Sequence, residues 1–188
     1  MLPAMRTSSE AIGSSPRVRA RAGPAPVLHW TVAESSLGPV LVAASDKGVC
    51  RVAFGEGEAE LRARFPAATL VLDDDGPGSP LLAAAVAACE NPAALEALPL
   101  DLAGTPFQQA IWRELRRIPL GETRSYAELA AAAGAPRAIR AAGSANAANP
   151  VAVLVPCHRV IRSDGTIGGY AYGVEIKRKL LEREQAPS

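Results

Sequence analysis

The 188-residue chain has only three cysteines and two histidines. Cys50, Cys89 and Cys157 are widely separated, so there is no CxxC pair and no zinc cluster can be drawn. So few cysteines also argue against a disulfide framework and for a reducing, cytoplasmic setting. No apolar run is long enough to cross a membrane, no segment repeats, and residues 1–26 lack the apolar core of a secretory signal. Those residues, rich in Ser, Ala, Arg, Gly and Pro, read as a disordered leader. Asp73-Asp74-Asp75 is followed at once by Gly and Pro and reads as a solvated turn, not as a metal site. With 48% hydrophobic residues, the chain can still build one large or two small packed cores.

Against this background Cys157 stands out. It follows the unbroken apolar stretch 151–155 and Pro156, and His158 and Arg159 come next. The β-branched run predicts a strand buried on both faces, with Pro156 at its end. A thiol is a good nucleophile only as thiolate, and a neighbouring base or cation lowers its pKa; His158 and Arg159 are the candidates. Cys50 and Cys89 have no such neighbours and read as small buried hydrophobes. In a strand Cys157 and His158 would point to opposite faces, so a turn or a relaying water is needed to couple them. An orienting partner for His158 could be Asp164, Glu175, Glu182 or Glu184, and spacing alone does not choose among them.

Residues 107–117 carry Phe107, Ala110, Ile111 and Leu115 on one helical face. Ser125, with Glu128 three residues on, predicts an N-cap and capping box. Gly134-Ala135-Pro136 ends that helix and 137–147 starts another, the layout of a helix-turn-helix. The second helix is almost all Ala, Gly, Ser and Arg, which would let its backbone come close to a partner. Ser163-Asp164-Gly165-Thr166 predicts a hairpin wing, and 175–184 an amphipathic helix with Ile176, Leu180 and Leu181 inward. Upstream, 27–54 reads as strand, turn, strand, around Leu37-Gly38 and Asp46-Lys47-Gly48, while 58–65 and 80–89 read as helices.

The order and spacing of Phe107-Gln108-Gln109-Ala110-Ile111-Trp112, Ile118-Pro119-Leu120-Gly121-Glu122-Thr123, Ser125-Tyr126-Ala127-Glu128-Leu129-Ala130, Pro136 to Gly143, Asn149-Pro150, the PCHRVI run and Gly168-Gly169-Tyr170 resemble the O6-alkylguanine-DNA alkyltransferases. The likeness covers about residues 105–184 closely and 28–101 more diffusely. It implies a mixed α and β protein: a small N-terminal antiparallel sheet with helices, ribonuclease H-like, over 27–101, then a winged helix-turn-helix domain over 102–188 that carries the acceptor cysteine. It also implies direct reversal of damage, with irreversible transfer of an alkyl group from guanine O6 to Cys157 and no cofactor or metal.

By the same resemblance His158 would deprotonate Cys157 through a water, Glu184 would hold His158, Tyr126 would donate to the leaving purine and Asn149 would brace the segment carrying Cys157. Arg140 would fill the gap left by a flipped base. Arg137, Ser125, Thr123, Ala138 and Ala141 would face the minor groove of double-stranded DNA, while Tyr170, Ala171, Tyr172 and Val160 would line the base pocket. A monomer is implied. Tyr172 replaces a small residue found in many relatives and predicts a preference for methyl over benzyl adducts; Ala171 removes a hydroxyl that some relatives have there.

Charge agrees with this division. Residues 102–188 carry 12 basic and 7 acidic side chains, net +5, and 26–101 carry 4 and 11, net −7. A phosphate backbone would therefore lie against the C-terminal part. Two other functions compete. A DNA-binding module without chemistry would not need Cys157, and a thiol hydrolase would need an oxyanion site and give no role to an Arg-bearing helix-turn-helix.

Overall fold

The computed structural model describes residues 25–73, 79–91 and 98–185. Nearly all of the expected leader, and the acidic turn beyond Asp73, lie outside them. The first strands run β1 (Val27–Ala33), β2 (Val40–Ser45) and β3 (Gly48–Phe54), an antiparallel meander turning where the sequence indicated. After α1 (Glu58–Arg64) a fourth strand, β4 (Thr69–Leu72), pairs parallel to β1, so the sheet order is β3-β2-β1-β4 and the sheet is mixed. The sequence reading missed β4, whose four residues are exposed or only half-buried and so lack an alternating pattern.

Each face of the sheet has its own cover. Leu61 of α1 packs with Leu28, Trp30, Leu41, Ala43 and Cys50. On the other face α2 (Pro80–Glu90) sets Leu82, Ala85, Ala88 and Cys89 among Val40, Val42 and Val52. Burial pushes the Cys50 thiol up to about 11 and the Cys89 thiol up to about 12, as expected of structural cysteines.

The free edge of β3 joins the two halves of the chain. Val49 bridges to Leu100 and Val52 to Val151, both parallel. Val52 N–H donates to Pro150 O and Ala152 N–H to Val52 O, each at 3.0 Å. Only glycine fits at position 48, because a Cβ there would lie 2.3 Å from the Pro99 carbonyl oxygen. Arg51, buried and paired with Glu56, adds a hydrogen bond from Nη1 to Pro150 O at 3.3 Å.

Beyond the junction come α3 (Pro106–Leu115), β5 (Arg124–Ser125), α4 (Tyr126–Ala132), α5 (Ile139–Ala147), a short 3-10 turn (Cys157–Arg159), β6 (Val160–Ile161) and α6 (Val174–Gln185). Reciprocal capping boxes start α3 (Thr105, Gln108) and α4 (Ser125, Glu128), satisfying donors that a helix N-terminus otherwise leaves open. Trp112 Nε1 donates to Ala145 O at 2.9 Å and ties α3 to α5.

Two local expectations need correction. Residues 151–155 are not a strand but an irregular buried turn with only one bridge, at Val151. Complete burial produced the apolar run, and burial alone does not specify strand period. The wing is also different: the turn at 163–166 is present, but β6 pairs parallel with β5, the segment before α4, and Ile167 forms no strand.

Candidate active site

Asn149 organises the turn that presents Cys157. Its Nδ2 donates to Val155 O at 2.7 Å and Val151 O at 3.4 Å, and its Oδ1 accepts from Val151 N–H at 3.1 Å. One side chain thus supplies the bonds that a neighbouring strand would have made. Val153 is held at φ +67°, a region that β-branched residues avoid, so the turn is strained. Cys157 N–H closes on Val155 O at 2.8 Å and opens the 3-10 turn.

His158 is fully buried, with Nε2 2.7 Å from Glu184 Oε1. Arg159 grips the same carboxylate, Nε to Oε2 and Nη2 to Oε1, both at 2.8 Å, and donates to Ile118 O through Nη1 at 2.5 Å. Burial alone would raise the Glu184 pKa, but the hydrogen bonds from His158 and Arg159 outweigh it and hold the carboxyl at about 2. Burial lowers the His158 pKa despite Glu184, so the ring is neutral at neutral pH. An ionised carboxylate only accepts, so neutral His158 donates Nε2–H to it and Nδ1 keeps its lone pair. That nitrogen is buried and has no hydrogen-bond partner among the described residues.

Of the four acidic candidates, only Glu184 reaches His158. Asp164 caps its own turn through Thr166, Glu175 pairs on the surface with Arg178, and Glu182 is exposed. Arg159 is not the cation that serves the thiol, because its guanidinium is committed to Glu184 and Ile118. That place falls to Lys177, which sequence reasoning missed. Its Nζ donates to the carbonyls of Val160, Ile167 and Gly169 at 2.6, 2.5 and 3.3 Å, and burial lowers it to about 8. The signal existed: Lys177, Leu180 and Glu184 share one face of α6 by spacing, and that face is the buried one.

Cys157 is 5% exposed. Burial pushes its thiol up, and the side chains of Asn149 and Tyr170 and the charge of Lys177 only partly counter this. The expectation of a lowered thiol pKa is therefore reversed: the resting group is a thiol, and it needs a base. Beside it a cavity of about 290 Å³ opens between Tyr126, Gly143, Asn146, Gly169, Tyr170 and Ala171. Tyr126 opens α4, with its ring near Gly143 and its hydroxyl near Gly168. Burial, then the nearby Cys157, raises its pKa, which keeps it a donor. Tyr172 and Val160 are not among the residues lining the cavity. Tyr172 stands behind Tyr170, edge-on to it and to Phe54, with its hydroxyl 3.5 Å from Val52 O; Val160 is wholly buried and offers only its carbonyl, to Lys177.

A wider concavity of about 790 Å³, lined by Arg137, Arg140 and Ser144 among others, shares Tyr126, Gly143 and Ala147 with this cavity. Arg137 and Arg140 are exposed and make no ion pair with a described residue. Ala141 is exposed on the same helix, and Ala138, half-buried, is the residue at its start. Thr123 and Ser125 line a different concavity, with Arg124 and Arg162, and the Ser125 hydroxyl is occupied in its helix cap. Among the described residues no group of side chains could hold a metal ion, and no helix is long and apolar enough to cross a membrane.

Residues 28–102 match the ribonuclease-like domain, and residues 106–186 the DNA-binding domain, of 6-O-methylguanine DNA methyltransferase. The chain is 40% identical over 187 residues to the bifunctional transcriptional activator/DNA repair enzyme Ada of Escherichia coli, covering 95% of this chain and 51% of that protein. It is thus about half as long as the Ada relatives that it matches. A methylated-DNA--protein-cysteine methyltransferase of Methanosarcina barkeri is 41% identical over 162 residues, 84% of this chain and 98% of that one. Among solved structures, the Mycobacterium tuberculosis OGT in complex with DNA superposes with a TM-score of 0.68 at 37% identity, covering 85% of this chain and 96% of the other.

Proposed function

The chain belongs to the 6-O-methylguanine DNA methyltransferase family, and on that premise we propose that it repairs DNA by direct reversal, moving an alkyl group from guanine O6 to its own Cys157. The observation that carries this reading is a buried thiol beside a neutral histidine. Glu184 fixes that ring so that its basic nitrogen is unpartnered among the described residues.

His158 Nδ1 takes the Cys157 proton through a water, and Sγ attacks the alkyl carbon in line. The carbon–O6 bond breaks as the carbon–sulfur bond forms, and the electron pair leaves with the purine. Tyr126, held protonated, donates to that purine and offsets its charge. The departing purine takes up a proton, by way of Tyr126 or from water, in place of the one left on His158, so the products are an S-alkyl cysteine and ordinary guanine, and each molecule acts once. The base reaches the sulfur only by leaving the stack, at a cost of a few kcal/mol. Arg140, on the exposed face of a small-residue helix, fits the vacated space; Ala138 and Ala141 allow close approach to a minor groove, with Arg137 beside them, while Ser125 of β5 and Thr123 just before that strand flank it. Tyr170 and Ala171 wall the base pocket, with Tyr172 and Val160 supporting that wall from behind. We place the protein in the cytoplasm, acting as a monomer, where reducing conditions keep Cys157 free.

The test is to incubate the protein with a duplex that carries radiomethylated O6-methylguanine and map the label. One methyl per protein on the peptide containing Cys157 is expected. Repeated turnover would instead make the protein a hydrolase, and binding without transfer a recognition module.

A further inference from the structure

Glu184, which fixes the base, is the last residue but one of α6. The last turn of a helix leaves carbonyls without intrahelical partners and is where a helix opens most easily. Lys177 and Leu180 anchor α6 further back along the chain, where both are wholly buried. Fraying of one turn beyond them would carry the Glu184 carboxylate away from His158 and Arg159 together. Something must hold that turn.

The neighbouring Arg183 reaches across to the first half of the chain. Its Nη1 donates to Cys89 O at 3.3 Å, one of the carbonyls left open at the end of α2, and lies 3.8 Å from Glu90 Oε2. Its Nη2 donates to the Ser36 hydroxyl, in the turn between β1 and β2. Glu90 accepts in turn from Ser36, from its N–H at 2.7 Å and from its hydroxyl. One guanidinium thus joins the end of α6, the end of α2 and the first sheet turn. Gly121, at φ +77°, completes the seat, since a Cβ there would lie 3.2 Å from Glu184 O.

We infer that Arg183 is a positioning residue for the transfer reaction: clamped to Ser36, Cys89 and Glu90, it pins the last turn of α6 and keeps Glu184 on His158. This rests on the proposed role of His158 as the base and goes beyond it. The first half of the chain lends no side chain to the cavity beside Cys157, yet through this clamp it governs the orientation of the base. A partly exposed ion pair adds little to stability, so the effect should appear in the geometry of the site and not in folding. Lysine is a poor substitute, because a single ammonium cannot reproduce the fork.

The experiment reads the His158 ring and the transfer rate in the same proteins. With two histidines in the chain and His29 exposed, ¹⁵N-histidine labelling separates the two rings by NMR. The buried Nε2–H that His158 donates to Glu184 should exchange slowly in wild type. Arg183→Ala should speed that exchange by about tenfold or more while the amides of β2 keep their protection. Single-turnover transfer from a methylated duplex to Cys157 should slow by about five- to tenfold, less than the roughly 100-fold that a misplacement of about 1 Å can cost. Arg183→Lys should fall between, and Glu90→Gln should shift both readouts the same way by less. Either readout moving without the other overturns the inference, as does no change in both. Faster exchange shared by the β2 amides also overturns it, because Arg183 would then only support the fold, and so does a wild-type His158 ring proton that exchanges as fast as that of His29. If Arg183→Ala does not fold, Glu90→Gln is read in its place. Absence of transfer by wild type would overturn the repair function, whereas the ring proton, which needs no DNA, still decides whether Arg183 holds Glu184 in place.

Discussion

Two buried regions of this molecule are built on opposite terms. The core under α1 is Leu28, Trp30, Leu41, Ala43, Cys50 and Leu61, apolar side chains whose burial is favourable by about 1.5–3 kcal/mol for a large one. The ground around Cys157 instead buries His158, Arg159, Lys177, Glu184, Asn146 and Asn149 and holds Val153 in a strained conformation. Burying charge is costly unless every member is paired, and replacing such a network by hydrocarbon is often neutral or stabilising. The first region supplies stability; the second uses some of it to keep a thiol and its base in fixed positions.

The sharpest way to test this contrast is Cys157→Ala, which should abolish transfer completely while the protein still folds and binds duplex, as read by label incorporation and gel shift. Next is Glu184→Gln. It removes the carboxylate from both Arg159 and His158, leaves a buried guanidinium uncompensated, and should cost about 3–5 kcal/mol of stability together with most of the transfer rate; chemical denaturation and single-turnover kinetics report the two losses separately. Leu41→Ala should break the other side of the comparison, with a stability loss of about 2–5 kcal/mol and an unchanged rate per folded molecule. Arg140→Ala should slow repair of duplex by about tenfold and flatten its salt dependence by roughly one phosphate contact, leaving stability unaltered.

The smallest expected effect is on acid stability. The His158 pKa in the folded protein lies below its ordinary 6.5, so the unfolded chain takes up its proton first and stability declines as pH falls below about 6.5. Glu184, held at about 2 against an ordinary 4.5, contributes stability above 4.5 that is lost between 4.5 and 2. Urea titrations from neutral pH to about pH 4 should show the first loss in wild type but not in His158→Gln.

Much of this was legible from residues. The meander announced itself by alternation and glycine turns, the helices by spacing and by the Ser125–Glu128 cap, and the Cys157–His158 pair by its setting. What escaped was written in another code. β4 is too short and too exposed to alternate, and the turn before Cys157 is so buried that its apolar run mimics a strand. Lys177 belongs to a helix face whose polarity argues for solvent until the partners are known, and on that same face spacing alone did not single out Glu184, although the family resemblance did.

The edge of β3 carries a consequence for anyone recombining related proteins. Because Val52 is laced to Pro150 and Ala152, the sheet and the reactive turn share one register, and a chimera that imports a foreign first half must keep the spacing from β3 to that lacing. A slip of a single residue there would turn Val52 outward and shift the nucleophile, even with every residue of the second half intact.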